Sequence, residues 1–183
     1  MYTLRFDGLL REVPGEYHRT FQAGFMCYGW LILRNGRVIA RGHGVFGHGK
    51  EATSNAAEYL GLIEGLEALR DLGVRSDERI EVYGDAKSVI DQMIGLSGVN
   101  SPRTRRLYRQ AHRLAREFTN LHWIWTPRRY NRDADQLTRR AMRQICSDQV
   151  HFQAAIDAID RDWDRSDQFL SITDLRVYQP VPA

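Results

Sequence analysis

The chain has 183 residues, 43% of them hydrophobic, enough for one well-buried core and too few for two comfortable domains. No apolar run approaches the roughly 20 residues that span a bilayer, MYTLRFDG lacks a signal-peptide pattern, and Cys27 and Cys146 are too isolated for a disulfide framework or a zinc knuckle. These features exclude membrane-spanning, secreted and zinc-finger classes and predict a soluble, cytoplasmic protein with reduced thiols and no membrane partner.

The formal charge of +3 is unevenly spread, because residues 147–183 hold seven aspartates against three arginines, a net of −4, which leaves +7 on residues 1–146. Between Val99 and Arg143, twelve arginines face only Glu117, Asp133 and Asp135. That concentration suits a polyanionic partner, although a solvated helix face has the same composition.

Taken in chain order, YTLRFDG alternates apolar and polar residues with the period of a strand, and Asp7-Gly8 is expected at its end. YGWLILRNGRVIARGHG reads as two strands joined by Asn35-Gly36, the pair suited to the positive φ angles of a type I′ hairpin. A glycine-bearing loop then leads to a helix that begins with SNAAEYLGLIEGL and ends near Gly73. RIEVYGD predicts a strand ending at Asp85, AKSVIDQMIG a helix, GVNSPRTRR a loop and LYRQAHRLAREF an arginine-rich helix. LHWIWT reads as a strand stopped by Pro127, and ADQLTRRAMRQI as a helix with Leu137, Ala141 and Ile145 inward. Trp123 and Trp125, two apart, are expected to pack one face of that strand. The rest reads as an acidic helix followed by an irregular end. The expected domains are 1–146, a mixed α/β unit, and 147–183, an acidic helical extension and tail.

An antiparallel meander followed by crossover units makes a mixed five-stranded sheet with helices on its faces. On such a scaffold, acidic residues at strand ends and helix starts can meet, and Asp7, Glu58, Asp85 and Asp135 occupy such places. Four ionised carboxylates in one low-dielectric site need cations; hard divalent ions such as Mg²⁺ prefer oxygen ligands, and a pair of them can hydrolyse a phosphodiester. Each residue also has a structural reading. Asp7 could open a turn with Gly8, Asp85 could cap a helix, Glu58 could complete a capping box with Asn55, and Asp135 could favour a helix dipole.

Asp7-Gly8, TSNAAEYLGLIEGL, GDAKSVIDQM and WTPRRYNRDADQL, in that order and over about residues 1–145, resemble the ribonuclease H type 1 family. The resemblance implies endonucleolytic hydrolysis of the RNA strand of an RNA–DNA hybrid, leaving 5′-phosphate and 3′-hydroxyl ends, with two Mg²⁺ or Mn²⁺ ions bound alongside substrate. It also implies that Asp7 bridges both ions, that Asp135 completes the one activating water, and that Glu58 and Asp85 hold the other; Gly8 is grouped with this metal-holding set. The NxxADxL element selects Asp135 over Asp133, which lies about 200° away on an ideal helix. For the nucleic acid, the resemblance implies Asn55 beside ribose 2′-hydroxyls and Thr53 beside a DNA phosphate.

Departures from the family pattern are Ser54, where many members have a second asparagine, Ala86 in place of a serine, and TPRRYNR, which lacks the histidine that many relatives use in product release. Arg128 or Arg129 is the candidate for part of that role, and Arg103, Arg105, Arg106, Arg109 and Lys87 are the candidates for backbone contacts. The alternatives are a nuclease of structured DNA or double-stranded RNA and a noncatalytic nucleic-acid-binding module. A metal pair at His43 and His48 lacks a third ligand.

Overall fold

The structure is a computed structural model and describes residues 1–12, 24–48, 52–148, 150, 153 and 170–178. Strands β1 (Tyr2–Glu12), β2 (Gly24–Arg34) and β3 (Arg37–His48) precede helix α1 (Ser54–Asp71). Then follow β4 (Ile80–Gly84), α2 (Lys87–Met93), α3 (Pro102–Ala115), β5 (Leu121–Trp125), a short 3-10 turn at Arg128–Tyr130, α4 (Arg132–Ser147) and β6 (Leu170–Tyr178). They build one sheet in the order β5-β4-β1-β2-β3-β6. β1 pairs antiparallel with β2 and parallel with β4, which in turn runs parallel to β5. The hairpin between β2 and β3 turns at Asn35 and Gly36, with φ of 50° and 80°, the left-handed pair a type I′ turn requires.

Alternation along β1 assigns the two faces of the sheet. Leu4, Phe6 and Gly8 lie on the side of α1, and their apolar neighbours form the core together with Tyr28, Tyr59, Leu62, Val82 and Leu107. Asp7 lies on the opposite side with its antiparallel partner Gly29, under α4. Two glycines allow the helices to approach this closely. A Cβ on Gly8 would sit 2.2 Å from the Glu58 amide nitrogen, and one on Gly29 would sit 2.6 Å from that of Thr138.

Several expectations need correction. β1 does not end at Asp7-Gly8 but runs to Glu12, because Gly8 serves helix contact rather than a turn. α3 begins at Pro102, where a loop was expected, because the Ser101 hydroxyl accepts from the Thr104 amide and proline fits the first helical position. The sheet has six strands rather than five. Residues 170–178, read as an irregular end, pair antiparallel with β3 from Ala40 to Gly47. Arg176 fastens this strand to α1, donating to Glu64 at 2.5 Å, Asp71 at 3.1 Å and Glu67 at 3.2 Å. The expected acidic helix falls almost wholly outside the described residues.

The tryptophans divide. Trp123 packs against the core, whereas Trp125 is 46% exposed and donates its indole N–H to the Asp85 carbonyl at 3.0 Å. His43 is buried, with Nε2 2.7 Å from Gln144 Oε1, and belongs to no metal-competent group among the described residues. The side chain of His48 lies outside the described residues.

Candidate active site

The last paired residues of the parallel strands β1 and β4 are Arg5 and Tyr83. Continuing that register by two residues sets Asp7 beside Asp85 where the strands part. Glu58 arrives from the second turn of α1, whose N-cap is Thr53; its hydroxyl accepts from the Ala56 amide at 3.0 Å. Asn55 is therefore inside the helix and Glu58 has no part in a capping box. Asp85 is likewise not the cap of α2, which Ala86 occupies. The carboxylates of Asp7, Glu58 and Asp85 offer oxygens all within 4.8 Å of one another.

Burial gives this cluster its chemistry. Asp7 is 1% exposed and Glu58 7%. Desolvation, reinforced by the charges of Asp85 and Asp135, pushes the Asp7 carboxyl up to about 7 against the opposing effects of Thr138 and Arg128. Glu58 is raised well above the carboxylate range, first by burial and then by Asp7 and Asp85, while the Gly8 amide that donates to it works in the opposite sense. Asp7 Oδ2, Glu58 Oε2 and Asp85 Oδ1 are buried without a hydrogen-bond partner. An all-oxygen, anionic donor set with one orphaned atom from each residue fits a hard divalent cation.

Asp135 stands outside this trio, close enough for its charge to act on Asp7. Arg128 Nε and Nη2 donate to its Oδ1 at 3.1 and 2.5 Å, and Arg139 Nε to its Oδ2 at 2.7 Å. Partial burial works against ionisation, yet the two guanidinium groups hold this carboxyl below its usual range.

Asn131 and Thr138 had no role in the sequence reading. Asn131, fully buried at the N-cap of α4, makes no cap bond; its Nδ2 donates to the Phe6 carbonyl at 2.7 Å. The Thr138 hydroxyl lies 3.2 Å from the Asp7 carbonyl and 3.1 Å from that of Ala134. Both residues tie α4, and with it Asp135, to the stretch of β1 that carries Asp7. The only sequence signal was position: Asn131 opens NxxADxL, and Thr138 follows Asp135 by one helical turn.

The expected nucleic-acid residues lie at the start of α1, on α2 and α3, and in the 3-10 turn. Ser54 is exposed, and Asn55 accepts from the Ser88 hydroxyl at 3.0 Å. Lys87 pairs with Asp91 at 2.5 Å. Arg105 donates to the Val99 carbonyl and Arg106 is exposed on α3; Arg103 lies in the first turn of the same helix. The Arg129 guanidinium lies 4.8 Å from the centre of the Tyr130 ring.

Residues 16–141 match the family described as reverse transcriptase-like. The crystal structure of RNase H1 from the halophilic archaeon Halobacterium salinarum NRC-1 superposes with a TM-score of 0.65 at 31% identity, over 78% of this chain and 98% of that one. The chain belongs to the type 1 ribonuclease H family. Its sheet and helices match the RNase H fold of a second type 1 structure, LC11-RNase H1 in complex with RNA/DNA hybrid, with a TM-score of 0.67 at 26% identity over 79% of this chain and 98% of that one. The bifunctional protein Rv2228c of Mycobacterium tuberculosis is 36% identical over 136 residues, 74% of this chain. This ribonuclease H chain spans about a third (34%) of the length of that relative.

Proposed function

We propose that this type 1 ribonuclease H hydrolyses the RNA strand of RNA–DNA hybrids in a divalent-metal-dependent reaction, leaving 5′-phosphate and 3′-hydroxyl ends. The observation that carries this reading is the trio of orphaned, buried carboxylate oxygens on Asp7, Glu58 and Asp85. Membership of the family and the likeness to a type 1 enzyme in complex with a hybrid support the substrate.

In this reading Asp7, Glu58 and Asp85 would hold one Mg²⁺ or Mn²⁺, and Asp135 with Asp7 would hold a second alongside substrate. Bound there, such ions supply an activated water and stabilisation of the leaving oxygen. The protein supplies placement. The Gly8 amide orients Glu58, Trp125 steadies the Asp85 backbone, and Arg128 and Arg139 keep Asp135 ionised. Asn55 and Ser54 at the exposed start of α1 read ribose 2′-hydroxyls, Thr53 a DNA phosphate, and Lys87, Arg103, Arg105, Arg106, Arg128 and Arg129 the backbones. Both cysteines are free thiols, in keeping with a cytoplasmic setting, and no described helix is long and apolar enough to cross a membrane.

The test is cleavage of end-labelled RNA–DNA hybrid, DNA duplex and RNA duplex of one sequence, across a series of Mg²⁺ and Mn²⁺ concentrations. The RNA of the hybrid is the expected target, with Asp85→Asn inactive. Preferential cutting of either pure duplex, or undiminished cleavage by Asp85→Asn, overturns the proposal.

A further inference from the structure

Away from the carboxylates, α4 and the β2–β3 hairpin enclose a groove of about 510 Å³. Leu31, Val38 and Leu137 supply its apolar lining, Arg41, Arg140 and Arg143 its cations, and Asp133 and Gln136 line it as well, so positive charge outnumbers negative three to one. A bulge builds this arrangement. Ala40 faces Ile32 and Val38 faces Leu33, so Ile39 is the extra residue. Val38 and Arg41, an odd number of positions apart, consequently share the α4 side of the sheet. β6 continues the apolar strip on that side. Val177, opposite Arg41, is 36% exposed, and Leu175, opposite His43, is 43% exposed.

The three arginines differ from others on the same molecule. Arg128, Arg139 and Arg176 each pair with a carboxylate. Arg41, Arg140 and Arg143 are exposed and make no ion pair or hydrogen bond among the described residues. On α4, positions 133, 137, 140 and 143 run along one face for about 15 Å, the length of four or five extended residues.

We propose that this groove docks an extended acidic segment of a partner protein in which carboxylates alternate with apolar side chains. Alternation is the pattern that satisfies both features at once, since successive side chains of an extended segment point to opposite sides. One set reaches the guanidinium groups and the other dries the aliphatic lining. Nucleic acid fits less well. The lining contains no aromatic ring on which a base could stack, and a phosphate backbone alone would leave Val38 and Leu137 uncovered.

The probe is a fluorescein-labelled hexapeptide alternating aspartate with leucine, titrated with the full chain at about 50 mM salt and followed by anisotropy. Binding is expected to weaken about tenfold in R140A/R143A, and severalfold in Val38→Ser or when serine replaces leucine in the peptide. Hybrid cleavage by these variants should stay unchanged, and circular dichroism should report the native fold. Four results overturn the proposal: no saturable binding up to about 1 mM peptide; equal affinity for the R140A/R143A chain; equal affinity for the serine peptide; or an oligonucleotide of about twelve nucleotides whose binding R140A/R143A abolishes while sparing the peptide's.

Discussion

A carboxyl buried beside like charges binds its proton more tightly in the folded chain than in the unfolded one. For Asp7 the values are about 7 and 3.8. Between them the folded state holds a proton that the unfolded chain has released, so the contribution of Asp7 to metal-free stability falls as pH rises from about 4 to about 7, and the raised Glu58 acts in the same sense. Metal requires the ionised form. Mg²⁺ affinity by calorimetry should therefore climb as pH rises through about 7, and the raised Glu58 carboxyl, which must also ionise, extends the climb. Asp7→Asn removes the charge that burial opposes. Its metal-free melting temperature at pH 8 should rise by about 2–6 °C, while hybrid cleavage is lost. A lower melting temperature would mean that Asp7 stabilises the fold rather than serving the site at its expense.

At the scale of elements, the strand and helix identities from β1 to α4 followed from periodicity and from the Asn35-Gly36 turn, because each is encoded in neighbouring residues. What periodicity could not reveal is where elements touch. Gly8 looked like a turn residue, yet it marks the closest approach of α1 to β1, which depends on residues about fifty positions apart. Gly8→Ala should cost about 3 kcal/mol or more in urea denaturation and displace Glu58 from its partners. The start of α3 was misplaced because its arginines carry no apolar stripe, while the Ser101-Pro102 start signal was passed over. β6 was missed for a different reason, since a strand that completes an edge is recognised by what it pairs with. Its anchor can be tested directly. Arg176→Ala leaves Glu64, Glu67 and Asp71 without their shared cation and should lower the melting temperature by about 3–8 °C at low salt, with the gap narrowing in about 1 M NaCl.

Across the whole molecule, Asp7, Glu58 and Asp85 were legible as a cluster because strand ends on one sheet edge are a topological inference. The arginine clamp on Asp135 was not, since side-chain pairing has no period. Charge is the property that belongs to the entire chain. The acidic aspartates of residues 147–183 could shield the basic half, and β6 makes wholesale deletion a poor probe because it would strip a strand from the sheet. Changing Asp157, Asp160, Asp162 and Asp164 to asparagine keeps the strand. If shielding operates, hybrid affinity should rise severalfold at about 50 mM salt and match the parent near 0.5 M; identical affinity at low salt would exclude it.

The added strand also changes how the protein meets its own copies. With β3 covered, the borders of the sheet among the described residues are β5, five residues carrying His122 and Trp125, and β6, nine residues. Both are shorter than the twelve-residue β3, and shorter borders are poorer templates for ladder-wise stacking. When β6 is released, the Ala40–Gly47 stretch of β3 becomes available to strangers, and the first symptom of that release would be a cloudy solution rather than a slower nuclease.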